Sequence, residues 1–297
     1  MSQLEDMRLF VATLDTGSFT AAAERLGLSK QFISKRLIAL EAQLGVRLLV
    51  RTTRHLRATD LGRAYYEQAR TILQQVDELE QAMTGANRSP RGRLRITAPM
   101  SFGTMHLSPL LPKFLAEFPQ VSVELELSDR MVDLLGEGYD LAVRIGELAD
   151  SSLVARRIAP VQLVLCCSPD YLKGREPPRT LAELAGHDCL LYGHGPHVEW
   201  AFGGEERSKV VTGRYRANNG ELLRDAAIQG LGITQSPTFI VAPALASGEL
   251  VTVLDAFRPP PGTVHAVYPQ HRQSSMLIHV FVEFLQRSFA AAWHDEG

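Results

Sequence analysis

Read for its alternation of apolar and polar positions, the chain opens with a run of helices. Leu4, Met7, Phe10, Val11 and Leu14 recur at steps of three and four, predicting a helix that Gly17-Ser18 interrupts. Ser18 caps a second helix from Phe19 to Leu26, and Gly27 closes it. A third run, Ser29 to Leu44, places Ile33, Leu37, Leu40 and Leu44 on one stripe and ends at Gly45. Its remaining face carries Lys30, Gln31, Ser34 and Lys35. Two short helices, a tight turn and a third helix with a polar leading edge form a helix-turn-helix, whose last member reads DNA. Val46 to Val50 and Arg51 to Arg57 follow as two extended runs, read as a wing.

From Asp60 to Thr84 the seam Leu61, Tyr65, Ala69, Ile72, Val76, Leu79, Met83 alternates steps of four and three, the spacing of a coiled coil. A long helix with one apolar seam is expected to pair with a second copy of itself, although packing on its own domain also satisfies the pattern. Residues 85 to 92, rich in glycine, serine and proline, read as a hinge. Strands then alternate with helices. Strands are expected at Leu94–Ala98, Val121–Leu127, Leu141–Ile145, Leu163–Cys167, Cys189–Tyr192, Val210–Ala217, Ile233–Gln235 and Val264–Tyr268. Helices are expected at Leu107–Phe118, Val132–Leu135, Leu181–Ala185, Leu222–Gln229 and Met276–Phe289. The pattern implies α/β architecture with mostly parallel sheet.

Charge sharpens the first part of this reading. Between Arg25 and Arg57 the positive residues are Arg25, Lys30, Lys35, Arg36, Arg47, Arg51, Arg54 and Arg57, against the single acid Glu41, although the formal net charge of the whole chain is −2. A basic module on a near-neutral chain fits one nucleic-acid-binding end. Glutamine suits adenine and lysine guanine in the major groove, with serine a small adaptable contact.

These residues carry a resemblance. Phe10, Gly17-Ser18-Phe19, Ala21-Ala22-Ala23, Leu26, Ser34, Leu40-Glu41, Leu44-Gly45, Leu48-Leu49, Arg51 and Thr59 resemble the winged helix-turn-helix of LysR-type transcriptional regulators. Tyr139 to Gly146 and Gly230-Leu231-Gly232-Ile233 resemble recurrent segments of the same family's effector domain, so the resemblance spans essentially the whole chain. It implies an all-α winged helix-turn-helix domain with a long linker helix, then a two-lobed α/β effector-binding domain of periplasmic-binding-protein type. The corresponding divisions are 1–59, 60–84, a hinge at 85–92, and 93–297, with lobe 1 from 93–159 and 263–297 and lobe 2 from 161–262. The family's DNA contacts would fall on Lys30, Gln31, Ser34, Lys35, Arg51 and Arg54. Phe32 stands where the family usually has a smaller residue, Lys35 where arginine is frequent, and Asp60-Leu61-Gly62 where the Thr-x-x-Gly start usually has Glu.

In open α/β sheets ligands sit beyond the carboxyl ends of strands, where loops and helix starts expose N–H groups. That rule selects Met100, Ser101 and Phe102, then Gly146 and Glu147, and in the second lobe Tyr192, Asn218, Asn219 and Ser236 as effector contacts. Ser101 is the first choice, and one asparagine is equally explained as a helix cap. Trp200 and Phe202 suit either a ligand wall or a core. Arg144 is expected in an ion pair with Asp140 or Glu147. The aromatic residues suggest an aromatic or otherwise apolar organic anion or a quinone as effector.

The 297 residues suffice for a second domain with a full core, and no apolar run approaches the roughly 18 residues of a membrane span. The expected setting is the cytoplasm. Three cysteines, Cys166, Cys167 and Cys189, give no disulfide framework and read as buried inert thiols rather than a redox or metal sensor. No metal or cofactor is implied. His187-Asp188-Cys189 places nucleophile and base side by side, but neighbours on a strand face opposite ways, which disfavours an enzyme. A free solute-binding protein is disfavoured by the basic first module. The sequence therefore reads as a regulator that binds double-stranded operator DNA as a homodimer or homotetramer and answers to a small-molecule effector, with no membrane partner.

Overall fold

The computed structural model describes residues 2–51, 56–83, 90–146, 153–193, 198–204 and 207–293. Two compact units partition the chain, residues 1–92 and 93–297.

In the first unit, α1 (Gln3–Thr16), α2 (Phe19–Leu26) and α3 (Lys30–Leu44) precede β1 (Leu49–Arg51), β2 (Leu56–Ala58) and α4 (Asp60–Met83). Local chemistry sets the boundaries. Ser18 and Ser29 each accept a backbone N–H in the following helix, and Gly17, Gly27 and Gly45 end their helices at positive φ. Phe10, Ala22, Ile33, Leu37 and Leu48 are fully buried between the three helices and the wing. Glu41, the lone acid of the basic stretch, accepts the N–H groups of Leu48 and Leu49 at 2.7 and 2.9 Å, fixing where β1 starts. Arg36 is likewise structural, bonded to Asp6 at 2.6 and 2.8 Å.

Gly62 shows why α4 begins as it does. Thr59 Oγ1 accepts the Gly62 N–H at 2.9 Å and donates to the Arg47 carbonyl at 2.8 Å, and a Cβ at Gly62 would stand 2.0 Å from the Leu48 carbonyl oxygen. Part of the α4 seam is spent within the unit. Ala69 is buried and the Tyr65 ring meets Phe10 edge-on at 5.2 Å, whereas Leu61 and Leu79 are 58 % and 60 % exposed.

Among the described residues the second unit has two five-stranded sheets and one two-stranded hairpin. In chain order its elements are β3 (Gly92–Ala98), α5 (Met100–Phe102), a π-helical turn (Gly103–Leu107), α6 (Ser108–Glu117), β4 (Val121–Leu127), β5 (Leu141–Ile145), β6 (Leu153–Val161), β7 (Leu163–Cys167), β8 (Cys189–Tyr192), β9 (Val198–Ala201), β10 (Ser208–Val211), β11 (Tyr215–Ala217), α7 (Gly220–Ile228), β12 (Ile233–Pro237), α8 (Thr238–Ala246), β13 (Val251–Val253), β14 (Gly262–Pro269) and α9 (Met276–Trp293). The first sheet runs β4-β3-β5-β14-β6 and the second β11-β8-β12-β7-β13. Each is the centre of one lobe.

Several expectations are corrected. The sheets are mixed rather than mostly parallel, because β14 returns antiparallel to β5 and β6, and β7 runs antiparallel to β12 and β13. Residues 132–135 are not helical; a turn spans 134–138. Val210–Ala217 is two strands, divided at Gly213, where a Cβ would meet the Cys189 carbonyl oxygen at 1.8 Å. Arg144 does not pair with Asp140, which is bonded to Arg272 and to the Arg95 N–H; Glu147 lies outside the described residues.

Candidate functional site: a basic helix face and an interlobe cavity

On α3, Lys30, Gln31 and Lys35 are exposed and Ser34 is half-buried, and together with Ile38 they line one shallow depression. Positions separated by four residues stack on one helix face, which is why Lys30, Ser34 and Ile38 align while Gln31 and Lys35 flank them. Neither lysine pairs with an acid among the described residues. Ile38, 52 % exposed, is the residue that sequence reasoning missed here. The signal was its step of four from Ser34, outside the buried stripe. Such an apolar group suits the methyl of thymine. Of the wing residues, Arg51 ends β1, opposite Leu56 of β2, and Arg54 lies outside the described residues.

In the second unit a cavity of about 460 Å³ lies between the lobes. It opens where β3, β4 and β5 of one lobe and β8 and β12 of the other end, as the switch-point rule anticipates. Ser101, Phe102, Gly146, Tyr192 and Ser236 all line it. Met100 does not; its N–H donates to Asp129 Oδ1 at 3.2 Å and so holds an acid that does line the cavity. Asn218 and Asn219 also stand off the lining. Asn218 is exposed, and Asn219 caps α7, its Oδ1 accepting the Leu222 N–H at 3.0 Å. Glu147 lies outside the described residues.

Three charged residues were not anticipated as site members. Asp129 lies beyond β4, Glu199 lies on β9, and Arg144 is the penultimate residue of β5, all in the cavity wall. Arg144 donates to the carbonyls of Val143 at 2.9 Å and Arg130 at 3.4 Å, and burial lowers its pKa against the opposing pull of Asp129. Tyr192 is shifted upward, first by burial and then by Asp129 and Glu221. The Ser101 hydroxyl donates to the Glu221 carboxylate at the first turn of α7. Trp200 is both core and cavity wall, whereas Phe202 belongs to the core of the second lobe. The Gln235 amide is spent on the Ala201 backbone, at 2.6 and 3.2 Å, tying the β9-β10 hairpin to β12.

Burial, then Asp188, raises the Cys189 thiol to about 11, and its described polar contact is the His187 carbonyl at 4.0 Å, not an imidazole nitrogen. Cys166 pairs with Thr234 and Cys189 with Ile233 on opposite sides of β12. Two strand spacings, roughly 10 Å, exceed the Cα reach of a disulfide, about 7 Å. Among the described residues no group of three or more His, Cys, Asp or Glu side chains is placed to hold a metal ion.

Comparison with known proteins agrees with both halves. Residues 4–63 match the family described as "Bacterial regulatory helix-turn-helix protein, lysR family", and residues 87–290 match the "LysR substrate binding domain". The HTH-type transcriptional regulator PtxR of Pseudomonas aeruginosa is 39 % identical over 290 residues, covering 95 % of this chain and 92 % of that protein. DmlR of Escherichia coli K12 is 35 % identical, covering 97 % and 94 %. The LysR-type regulator CrgA of Neisseria meningitidis superposes with a TM-score of 0.62 at 31 % identity, covering 97 % of this chain and 99 % of that one. With its helix-turn-helix and its two-lobed sensor both matched, this chain belongs to the LysR family of transcriptional regulators.

Proposed function

We propose that this regulator reads operator DNA with Lys30, Gln31, Ser34, Lys35 and Ile38 of α3, while Arg51 and Arg54 of the wing engage the phosphate backbone. The observation that carries this reading is the shared depression on α3, with both lysines unpaired by described acids. Base edges are read by such a face, whereas phosphate contacts set its position and its salt dependence. Fluorescence anisotropy with a duplex tests it: Lys35→Ala should flatten the slope of log K against log salt by about 0.9. An unchanged slope would remove Lys35 from the interface.

The functional divisions of this reading are the DNA-binding domain 1–59, the linker helix 60–84, the hinge 85–92 and the effector domain 93–297, whose lobes are 93–159 with 263–297, and 161–262. The protein acts as a homodimer or homotetramer through the exposed parts of α4, and a small molecule in the interlobe cavity biases its DNA-bound state. Such a ligand can shift that state only by its differential affinity, on the scale of about 1 to 3 kcal/mol. Ser101, Phe102, Gly146, Tyr192 and Ser236 are the effector contacts this reading retains, with Asp129 and Arg144 added. The protein carries out no catalysis, needs no cofactor, and acts in the cytoplasm where its operator lies. No described helix is long and apolar enough to cross a membrane.

A further inference from the structure

The charges of the interlobe cavity do not balance. Asp129, from the first lobe, and Glu221, from the second, both act on the Tyr192 hydroxyl and raise its pKa after burial has done so. Asp129 is held by the Met100 N–H, and Glu221 receives the Ser101 hydroxyl. Among the described residues lining the cavity one cation opposes them, Arg144, already donating to two backbone carbonyls. Among the described residues of the cavity wall, the carboxylates Asp129 and Glu199 stand against one guanidinium, Arg144, a formal charge of −1, and Glu221 adds a further carboxylate behind Ser101. An organic anion entering here would add a further negative charge to that excess, whereas a cation would neutralise it.

A second observation points to a ligand with a further polar group. Ser236 lines the cavity, is 3 % exposed, and its hydroxyl makes no hydrogen bond to any described residue. Buried hydroxyls are normally satisfied, so a free one facing an open volume is matched by what fills the volume. The remaining walls are apolar or aromatic, with Trp200, Leu223, Phe239 and Ile240 among them. The volume, about 460 Å³, suits a small organic molecule. Aromatic faces also favour a cationic nitrogen beside them.

We propose that the effector is an organic amine: a protonated primary ammonium held at Asp129 beside the Tyr192 hydroxyl, with Glu221 as the next carboxylate through Ser101, on an aromatic or branched apolar body lying against Trp200 and Leu223. Ser236 bonds a second polar group where the molecule has one. This rests on the cavity being the effector site, and it replaces the anion or quinone suggested by the aromatic residues alone.

The test uses the full chain and matched probes: 2-phenylethylamine against phenylacetate, and isoamylamine against isovalerate, by calorimetric titration and thermal unfolding. The amines should bind and raise the unfolding temperature, and their acid counterparts should not. Asp129→Asn keeps an acceptor for the Met100 N–H, and Glu221→Gln keeps one for Ser101. Each should weaken amine binding about 10- to 100-fold, the scale of a charged hydrogen bond. Unliganded unfolding curves of both variants establish that they are folded. Acids that bind through Arg144, lost in Arg144→Gln, with inert amines, would overturn the amine class and leave the cavity as the effector site. Amines that fail to bind up to about 10 mM, or that bind equally to both variants, would overturn the class as well. Binding of either series that is indifferent to Asp129→Asn, Arg144→Gln and Ser236→Val alike would overturn the cavity itself as the site.

Discussion

The Ser101 hydroxyl, on the first lobe, donates to the Glu221 carboxylate, on the second, across 120 residues of chain. A bond between two lobes that line one cavity resists their separation, and a hydrogen bond to a charged group contributes about 1.5 to 3 kcal/mol. Ser101→Ala should therefore lower the stability of the second unit by about that amount or somewhat less, since the freed carboxylate recovers water. Thermal unfolding of the variant measures it. An unfolding temperature identical to wild type would mean that the bond contributes nothing net.

Burial pulls His106, His187 and His265 below the ordinary histidine value of 6.5, with Arg175 adding to the effect at His187 and Arg157 at His265. For a histidine held low in the folded state, the unfolded chain binds more protons between the folded value and 6.5. Stability is then fully present above 6.5 and falls with pH until the folded values are passed. His106 is the clearest of the three, its ring packed with Phe102, Phe239 and Phe289 at 5.0 to 5.8 Å. The unfolding temperature should drop as the pH falls below about 6.5, and His106→Phe should reduce the drop. A rise on acidification would reverse the assignment.

Along α4 the apolar seam is buried at Ala69 and exposed at Leu61 and Leu79. Ala69 is 1 % exposed, so Ala69→Glu should unfold the first unit. Leu79 is 60 % exposed, so Leu79→Glu should leave the fold intact, shift the full chain toward monomer in light scattering, and weaken operator binding through lost avidity. A variant that remains dimeric would place the assembly surface elsewhere.

Gly62 gives a test of the junction between wing and linker. Any side chain there meets the Leu48 carbonyl, which is backbone and cannot rotate away. Gly62→Ala should cost about 1 to 3 kcal/mol, the range for overpacking, and depress DNA binding with it. Unchanged stability would mean that β1 and α4 are free to separate.

How much of this was legible in the sequence depended on whether the cause was local. Helices α2 and α3 carry their own caps in Ser18, Ser29 and the glycines after them, and their boundaries follow from those residues. Helix α8 was overlooked because Pro243 sits inside it and its apolar residues show no single face. Strand β6 was hidden by Arg156, Arg157 and Pro160, which suit its partly exposed edge position. In the cavity, Ser101, Tyr192 and Ser236 were reachable from the rule about strand ends. Asp129 was not, because a loop carboxylate looks like an ordinary solvated acid until the fold places it in the cavity wall. Asn219 shows the converse: its chemistry is real, but it is spent on capping α7.

The central claim, that α3 reads sequence through one exposed face, is tested most directly by selecting duplexes from a random library with wild type, Gln31→Ala and Ile38→Ser. Wild type should enrich a two-fold symmetric motif. Gln31→Ala should relax the preference at one base pair of each half-site, by about 1 to 3 kcal/mol when measured singly, and Ile38→Ser should relax a thymine preference at another. A motif unchanged in both variants, or no enrichment by wild type, would contradict the assignment of α3 as the reading element.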